Sequence, residues 1–287
     1  MNERTACPKT AGRPSQPLPA MISPVPGRAR PQAQWREQWE LFENTPSVPW
    51  LLEEWIYPNR LEDFRDQEVL EAGCGAGHQM GVVRPYVRRL VGIDMSADTV
   101  ARRRFAGDPG VEIRQGDILT YDTPERFDIV YCIGVLHHTD NPDLGFANLA
   151  RLVKPGGRLI VWVYSWEGNA LLRWVIEPLR KWVCRPMPRT MLWTLSCLAT
   201  AACYPLIHGL YRLPISSLPY YEYFANARRL SFRRNAINVF DKLNAPQTTL
   251  ISRERIESWF SPEVFESIHI SSYVGVSWRG SGTKSAS

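Results

Sequence analysis

At 287 residues, 44% hydrophobic and 22% charged, the chain holds enough apolar material for one packed domain with additions. That excludes a collagen-like, coiled-coil or wholly disordered molecule. The net charge of +5 is uneven, with residues 1–33 at +4, residues 168–215 at +5 and everything else at −4, so no nucleic-acid partner is expected of the folded body.

Seven of the 23 prolines fall in residues 1–33, which predicts a disordered Pro/Arg-rich tail. Trp35, Trp39 and Phe42 recur at helical spacing, followed by Trp50, Leu51, Leu52 and Trp55, and predict a helical cap over residues 34–65 with a core-facing stripe. From Glu68 to Tyr164, short β-branched runs alternate with helical patterns. The runs are Val69-Leu70, Leu90 to Ile93, Val111 to Ile113, Phe127 to Ile133 and Arg158 to Val163. Such βαβ order predicts a parallel sheet covered by helices over residues 66–164. Asn141 as cap, Pro142 at the first position and Lys154-Pro155-Gly156-Gly157 as terminator bound one helix and leave Cys132 to Asp140 as a loop. In open α/β sheets the ligand crevice lies beyond the carboxyl ends of the strands, so that loop is a site candidate. Residues 165–250 interrupt the pattern as an insertion. Residues 251–287 resume it with a helix, Ser252 to Phe260, and two strands, Ser267 to Ser272 and Tyr273 to Trp278.

The sharpest signal is Val69-Leu70-Glu71-Ala72-Gly73-Cys74-Gly75-Ala76-Gly77-His78, where the first strand meets its helix. Glycines there permit a tight turn and let a bulky polar ligand approach the backbone. A dinucleotide fingerprint would place its third glycine where His78 stands, which weakens a nicotinamide reading. Asp94 closes the second strand, where a carboxylate can accept both hydroxyls of a ribose or simply cap a helix.

With these residues the chain resembles the class I S-adenosylmethionine-dependent methyltransferases, whose first motif is an acid, one spacer and G-x-G-x-G. The resemblance covers about residues 66–164 and continues more weakly after 251. It implies a Rossmann-like, doubly wound α/β fold with a mostly parallel seven-stranded sheet and a helical insertion after strand five. It also implies S-adenosylmethionine as cofactor and S-adenosylhomocysteine as product. Glu71, Gly73, Gly75 and Gly77 would hold the methionine moiety, Asp94 the ribose, and Asp117 and Ile118 the adenine, with Cys74, Met95 and Cys132 also in the cofactor set. The loop from Cys132 to Pro142 is similar to that of the ubiquinone and menaquinone methyltransferases of the type 11 group. Ubiquinone O-methyltransferases carry acids at positions matching Gly134 and His137, which some use to hold a divalent metal; neither residue is acidic here, so no metal is expected.

An imidazole of ordinary pKa near ~6.5 can take a proton from a hydroxyl at neutral pH, which makes His137 and His138 candidates for the catalytic base. Ordering of the loop is the alternative role for either. The expected reaction is displacement at a sulfonium methyl; aromatic faces tolerate that charge, and Trp35, Trp39, Trp50 and Tyr57 either serve so or simply pack. The acceptor is expected to be a small molecule methylated at oxygen, with an anionic or a lipid group on it as alternatives. Arg228, Arg229, Arg233 and Arg234 suit an anionic group on it or form a solvated helix face.

Within the insertion, Arg173, Glu177, Arg180 and Lys181 share a face opposite Leu172, Trp174, Val175, Ile176, Leu179, Trp182 and Val183, the pattern of a basic amphipathic helix. Met191 to Tyr211 then run 21 residues without Asp, Glu, Lys or Arg. That run reads first as a lid over the substrate pocket, second as interfacial membrane contact and third as a span, any peripheral membrane contact being expected through residues 168–213. The alternative function is a membrane-associated, non-catalytic binding protein of the same fold. Cysteines at 7, 74, 132, 184, 197 and 203 form no C-x-x-C pair, and no apolar stretch suits a secretory signal, so a cytoplasmic setting, peripheral at the membrane under that second reading, is expected.

Overall fold

The computed structural model describes residues 29–96 and 100–286. Its strands are β1 (Glu68–Ala72), β2 (Arg89–Asp94), β3 (Val111–Gln115), β4 (Phe127–Ile133), β5 (Val153–Tyr164), β6 (Phe265–Tyr273) and β7 (Ser277–Lys284). Its helices are α1 (Ala29–Leu41), α2 (Pro49–Ile56), α3 (His78–Val83), α4 (Val100–Arg104), α5 (Pro142–Leu152), α6 (Glu177–Leu179), α7 (Arg189–His208), α8 (Tyr221–Ala227), α9 (Phe232–Asn244) and α10 (Arg253–Trp259). The strands form one seven-stranded sheet in the order β3-β2-β1-β4-β5-β7-β6. The first five are parallel, and β7 runs antiparallel between β5 and β6. The chain thus winds outward in both directions from β1 and β4, the doubly wound α/β arrangement expected. A crevice opens above the carboxyl ends of that central pair, where the strand order reverses.

Alternation along the strands builds two layers. Leu70, Val91, Val130 and Leu159 enter a core shared with Phe146 and Leu149 of α5 and Ile256 of α10. Their chain neighbours Val69, Leu90, Ile129 and Ile160 enter a second core with Leu52 and Ile56 of α2 and Met80 of α3. Strands covered on both faces bury every position, which is why they read as continuous apolar runs. Asn141 caps α5 as expected, its side chain accepting a hydrogen bond from the Leu144 amide at 3.1 Å.

Three boundaries differ from expectation. Residues 1–28 of the anticipated tail lie outside the described residues, but α1 already begins at Ala29; Pro31 falls in its first turn, where an amide has no partner within the helix. The Lys154-Pro155-Gly156-Gly157 segment belongs to β5, paired through Val153 with Phe127 before a register shift. The final strand starts at Ser277, since Val274 and Gly275 take φ of 45° and 71° and turn the chain there.

The largest difference is in the insertion. Over Leu172–Ile176 and Arg180–Cys184 the chain winds as π-helix on either side of α6. Its i→i+5 bonding rotates the faces away from those of an α-helix. Arg180 is 3% exposed, paired with Glu177 and donating to Thr248 Oγ1 at 2.8 Å, whereas Trp174 and Trp182 are 77% and 84% exposed. Of the anticipated basic face, Arg180 turns inside while Lys181 stays exposed; of the apolar face, Trp174, Val175, Leu179, Trp182 and Val183 stand outside while Leu172 is buried. Nor is the whole insertion a lid. Only its later part reaches the crevice: Gln38 of α1 donates to Asp241 of α9 at 2.9 Å and accepts from Asn244 at 2.7 Å, so these two helices close over the sheet together.

Candidate active site

A cavity of about 290 Å³ occupies the crevice. Its β2–β3 side carries Asp94, Met95, Asp117 and Ile118; its β4–β5 side carries His138, Trp162 and Tyr164. Trp35 and Trp39 of α1 and Arg234, Asn238 and Asp241 of α9 complete the wall.

The glycine turn is tighter than a ligand cradle needs. Gly73 and Gly75 adopt left-handed φ of 80° and 49°. A Cβ at Gly73 would lie 2.4 Å from Val135, and one at Gly75 2.7 Å from the Trp39 ring. The close approach these glycines allow is therefore made by the protein's own side chains. Their amides are also engaged: Gly73 and Cys74 donate to Ile93 O at 2.7 and 3.0 Å, Gly77 to Cys74 O at 2.8 Å, and Gly75 to Asp94 Oδ2 at 3.0 Å. Gly73 and Cys74 line the cavity, while Gly75 and Gly77 sit behind it as supports.

Asp94 is fixed at the tip of β2, because its Oδ1 accepts the Ser96 amide at 2.7 Å while Oδ2 holds the turn. Gln32 of α1 and Gln115 of β3 both donate to Met95 O, at 2.6 and 3.1 Å, which ties the cap to this edge. Asp117 accepts the Leu119 amide at 3.0 Å, and Asn148 of α5 donates to Ile118 O and Tyr121 O, each at 2.8 Å. A buried amide thus clamps the loop that presents the Asp117 and Ile118 pair.

Two expected cofactor residues are placed elsewhere. Glu71 lies beside Tyr131 in the β1–β4 register, is 2% exposed and accepts the tyrosine hydroxyl at 2.5 Å; burial pushes its carboxyl up to about 8. Cys132 points into the core with Leu136 and Phe146, where burial raises its thiol above the ordinary range. Strand alternation turns both away from the cavity wall.

The two histidines divide in the same way. His138 Nδ1 lies 2.7 Å from Gln247 O. A carbonyl only accepts, so Nδ1 carries the proton and Nε2 is the basic nitrogen of the neutral ring. Burial holds its pKa below the usual 6.5 against the opposing pull of Asp241, so the ring is uncharged at neutral pH. His137 does not line the cavity. Its ring packs 4.2 Å from both His138 and Tyr164, its Nδ1 accepts the Tyr164 amide at 3.4 Å, and its carbonyl accepts the Thr249 amide at 2.7 Å. It orders the loop rather than facing a substrate.

Of the aromatic candidates, Trp35 packs 5.2 Å from His138 and stacks on Trp39 at 6.0 Å. Trp50 and Tyr57 are occupied on the outside, under Arg229 at 3.7 Å and Arg279 at 4.8 Å. The arginine pairs are dispersed as well, since Arg233 lies 5.9 Å from the Trp193 ring and only Arg234 reaches the cavity. Sequence reasoning missed Trp162, Tyr164, Asp241 and Gln247. Trp162 and Tyr164 end β5, so the carboxyl-end rule points to them; nothing in the sequence links Asp241 or Gln247 to the sheet.

Residues 70–161 match the methyltransferase domain family model. A ubiquinone biosynthesis O-methyltransferase of Bradyrhizobium sp. is 30% identical over 130 residues, 40% of this chain and 50% of its own. An uncharacterised protein of Synechococcus sp. is 34% identical over 142 residues, 43% of this chain and 33% of its own. The match therefore spans a third to a half of these relatives' length. Among solved structures, the N-methyltransferase NodS of Bradyrhizobium japonicum in complex with S-adenosylhomocysteine aligns at 14% identity over 88% of this chain and 98% of its own, with a TM-score of 0.43. The domain match lies on β1 to β5 and on the turn and loops that build the cavity, and residues 70–161 are accordingly a methyltransferase domain.

Proposed function

We propose that the protein methylates a hydroxyl oxygen of a small-molecule acceptor, with His138 as general base. One observation carries this reading: a neutral imidazole, its Nδ1–H committed to Gln247, faces the same cavity as the carboxylates of Asp94 and Asp117. Asp94 would accept the ribose hydroxyls, Asp117 and Ile118 would hold the adenine, and Gly73 and Cys74 would flank the methionine chain. The donor set fits S-adenosylmethionine, which when bound supplies an electrophilic methyl on a sulfonium. Trp35 and Trp39 cover that region and exclude water. His138 Nε2 takes the hydroxyl proton as the acceptor oxygen gains the methyl. Oxygen as the acceptor atom is further supported by the O-methyltransferase names among the relatives.

Arg234 adds a substrate preference. It is half-buried at the cavity wall, and its buried Nε finds no hydrogen-bond partner among the described residues. A guanidinium so placed favours a carboxylate or phosphate on the acceptor.

Calorimetry tests the cofactor half. Wild type binds S-adenosylhomocysteine, and Asp94→Ala weakens it at least about tenfold by removing both the ribose acceptor and the anchor of the turn. No binding by wild type would end the proposal. For the acceptor half, Arg234→Met is expected to raise KM about tenfold for hydroxylated aromatic acids but not for their uncharged amides, at unchanged S-adenosylhomocysteine affinity. Equal effects on acids and amides would remove the anionic preference.

A further inference from the structure

The insertion leaves an unusual share of its large apolar side chains exposed. Of the eighteen large apolar side chains that stand exposed among the described residues, twelve lie within residues 171–215. Trp174 and Trp182 project almost fully from the π-wound segment. On α7, Met191 (57%), Leu198 (63%) and Leu206 (42%) face outward, while Ser196 and Thr200 are buried. Those inward hydroxyls are satisfied by bonding back to the carbonyls of Leu192 and Ser196, at 2.8 and 2.7 Å. A helix facing water does the opposite, placing hydroxyls outside and aliphatic groups within. Two consecutive elements of the insertion thus both leave large apolar side chains in water, a concentration soluble monomers ordinarily avoid.

We infer that this face docks onto the surface of an anionic lipid bilayer. The charge around it identifies the partner. Residues 168–215 carry six basic groups and one acid; Glu177 pairs with the buried Arg180 and with Lys181, and Arg189 pairs with Glu37 of α1. Lys181, Arg185 and Arg212 remain exposed beside the apolar groups. Protruding indoles with flanking cations match the headgroup zone, where tryptophan is favoured and basic residues meet anionic lipid. A second copy of the chain would bring like charge against like charge across a two-fold interface. Crossing the bilayer is disfavoured although α7, at 20 residues, is long enough by length and composition. Its other side packs Leu192 against Ile237, Phe240 and Leu243 of α9, so it lies along the body of the protein.

The test uses the full chain and vesicles of phosphatidylcholine, alone or mixed in equal parts with phosphatidylglycerol. Wild type co-floats with the anionic vesicles and is progressively released by added salt. The double substitution Trp174→Glu with Trp182→Glu lowers the bound fraction about tenfold. Its melting temperature and S-adenosylhomocysteine affinity stay at wild-type values, because both indoles are exposed; those controls also separate failure of this inference from failure of the methyltransferase reading. Wild type remaining in the soluble phase with both vesicles, or a double variant that floats like wild type, overturns it. So does light scattering that shows a dimer abolished by the same substitutions, which would assign the face to a second copy.

Discussion

His138→Asn is expected to lower kcat by about 10² to 10⁴, the range lost when a positioned general base is removed. S-adenosylhomocysteine binding should be unchanged, because Asp94 and Asp117 stand on the opposite flank of the cavity. An asparagine amide can still donate to Gln247 O, so the loop keeps its shape while the basic nitrogen is lost. The pH profile gives a second readout. Burial keeps the His138 pKa below 6.5, so the base is already deprotonated at neutral pH. The wild-type rate should therefore be level through pH 7 and fall only on the acid side of 6.5 as the ring takes up a proton. The same substitution at His137 should cost far less, since that ring reaches the substrate only through its packing on His138. Steady-state kinetics in which His138→Asn turns over like wild type would remove the base and leave an acceptor whose nucleophile needs no deprotonation.

Much of the sheet and its crevice was legible in the chain because each signal was local. The runs around Leu70, Leu90, Ile129 and Leu159 are apolar at successive positions, as strands covered on both faces must be. Asn141 announces its helix by itself, and Asp94 follows its strand directly. What was not legible depends on partners distant in sequence. Glu71 stands next to the glycine turn, yet its environment is set by Tyr131 on the neighbouring strand. The polar Glu71 and Tyr131, each between apolar neighbours in two adjacent strands, are the signal that could have exposed this pair. The roof is likewise fixed by contacts such as Gln38 with Asp241, 203 positions apart. In the insertion, periodicity separated Arg180 from Trp174 and Trp182 but did not tell which of them turns inward. That choice was made by the buried Arg180 and the π-winding around it, which an α-helical projection cannot represent.

The stability of the cavity floor should carry the mark of Glu71. A carboxyl held protonated up to about 8 when folded, against 4.5 in the unfolded chain, binds a proton in the native state that the unfolded state has already released. Stability then falls as pH rises from 4.5 to about 8 and levels beyond it, a loss on the order of 3 to 5 kcal/mol across the window. Glu71→Gln keeps an oxygen to accept the Tyr131 hydroxyl but has no proton to lose. Urea unfolding at pH 5, 7 and 9 should show the wild-type free energy declining while the variant changes far less. The variant should be similar to wild type at pH 5 and clearly more stable at pH 9. Parallel curves for the two proteins would mean that Glu71 is ionised in the native state. Because β1 passes from Glu71 through Ala72 into Gly73, the same measurement reports on the strand that aims the glycine turn at Val135 and Trp39. A negative charge left between β1 and β4 would then loosen the support on which Asp94 and its paired amide depend.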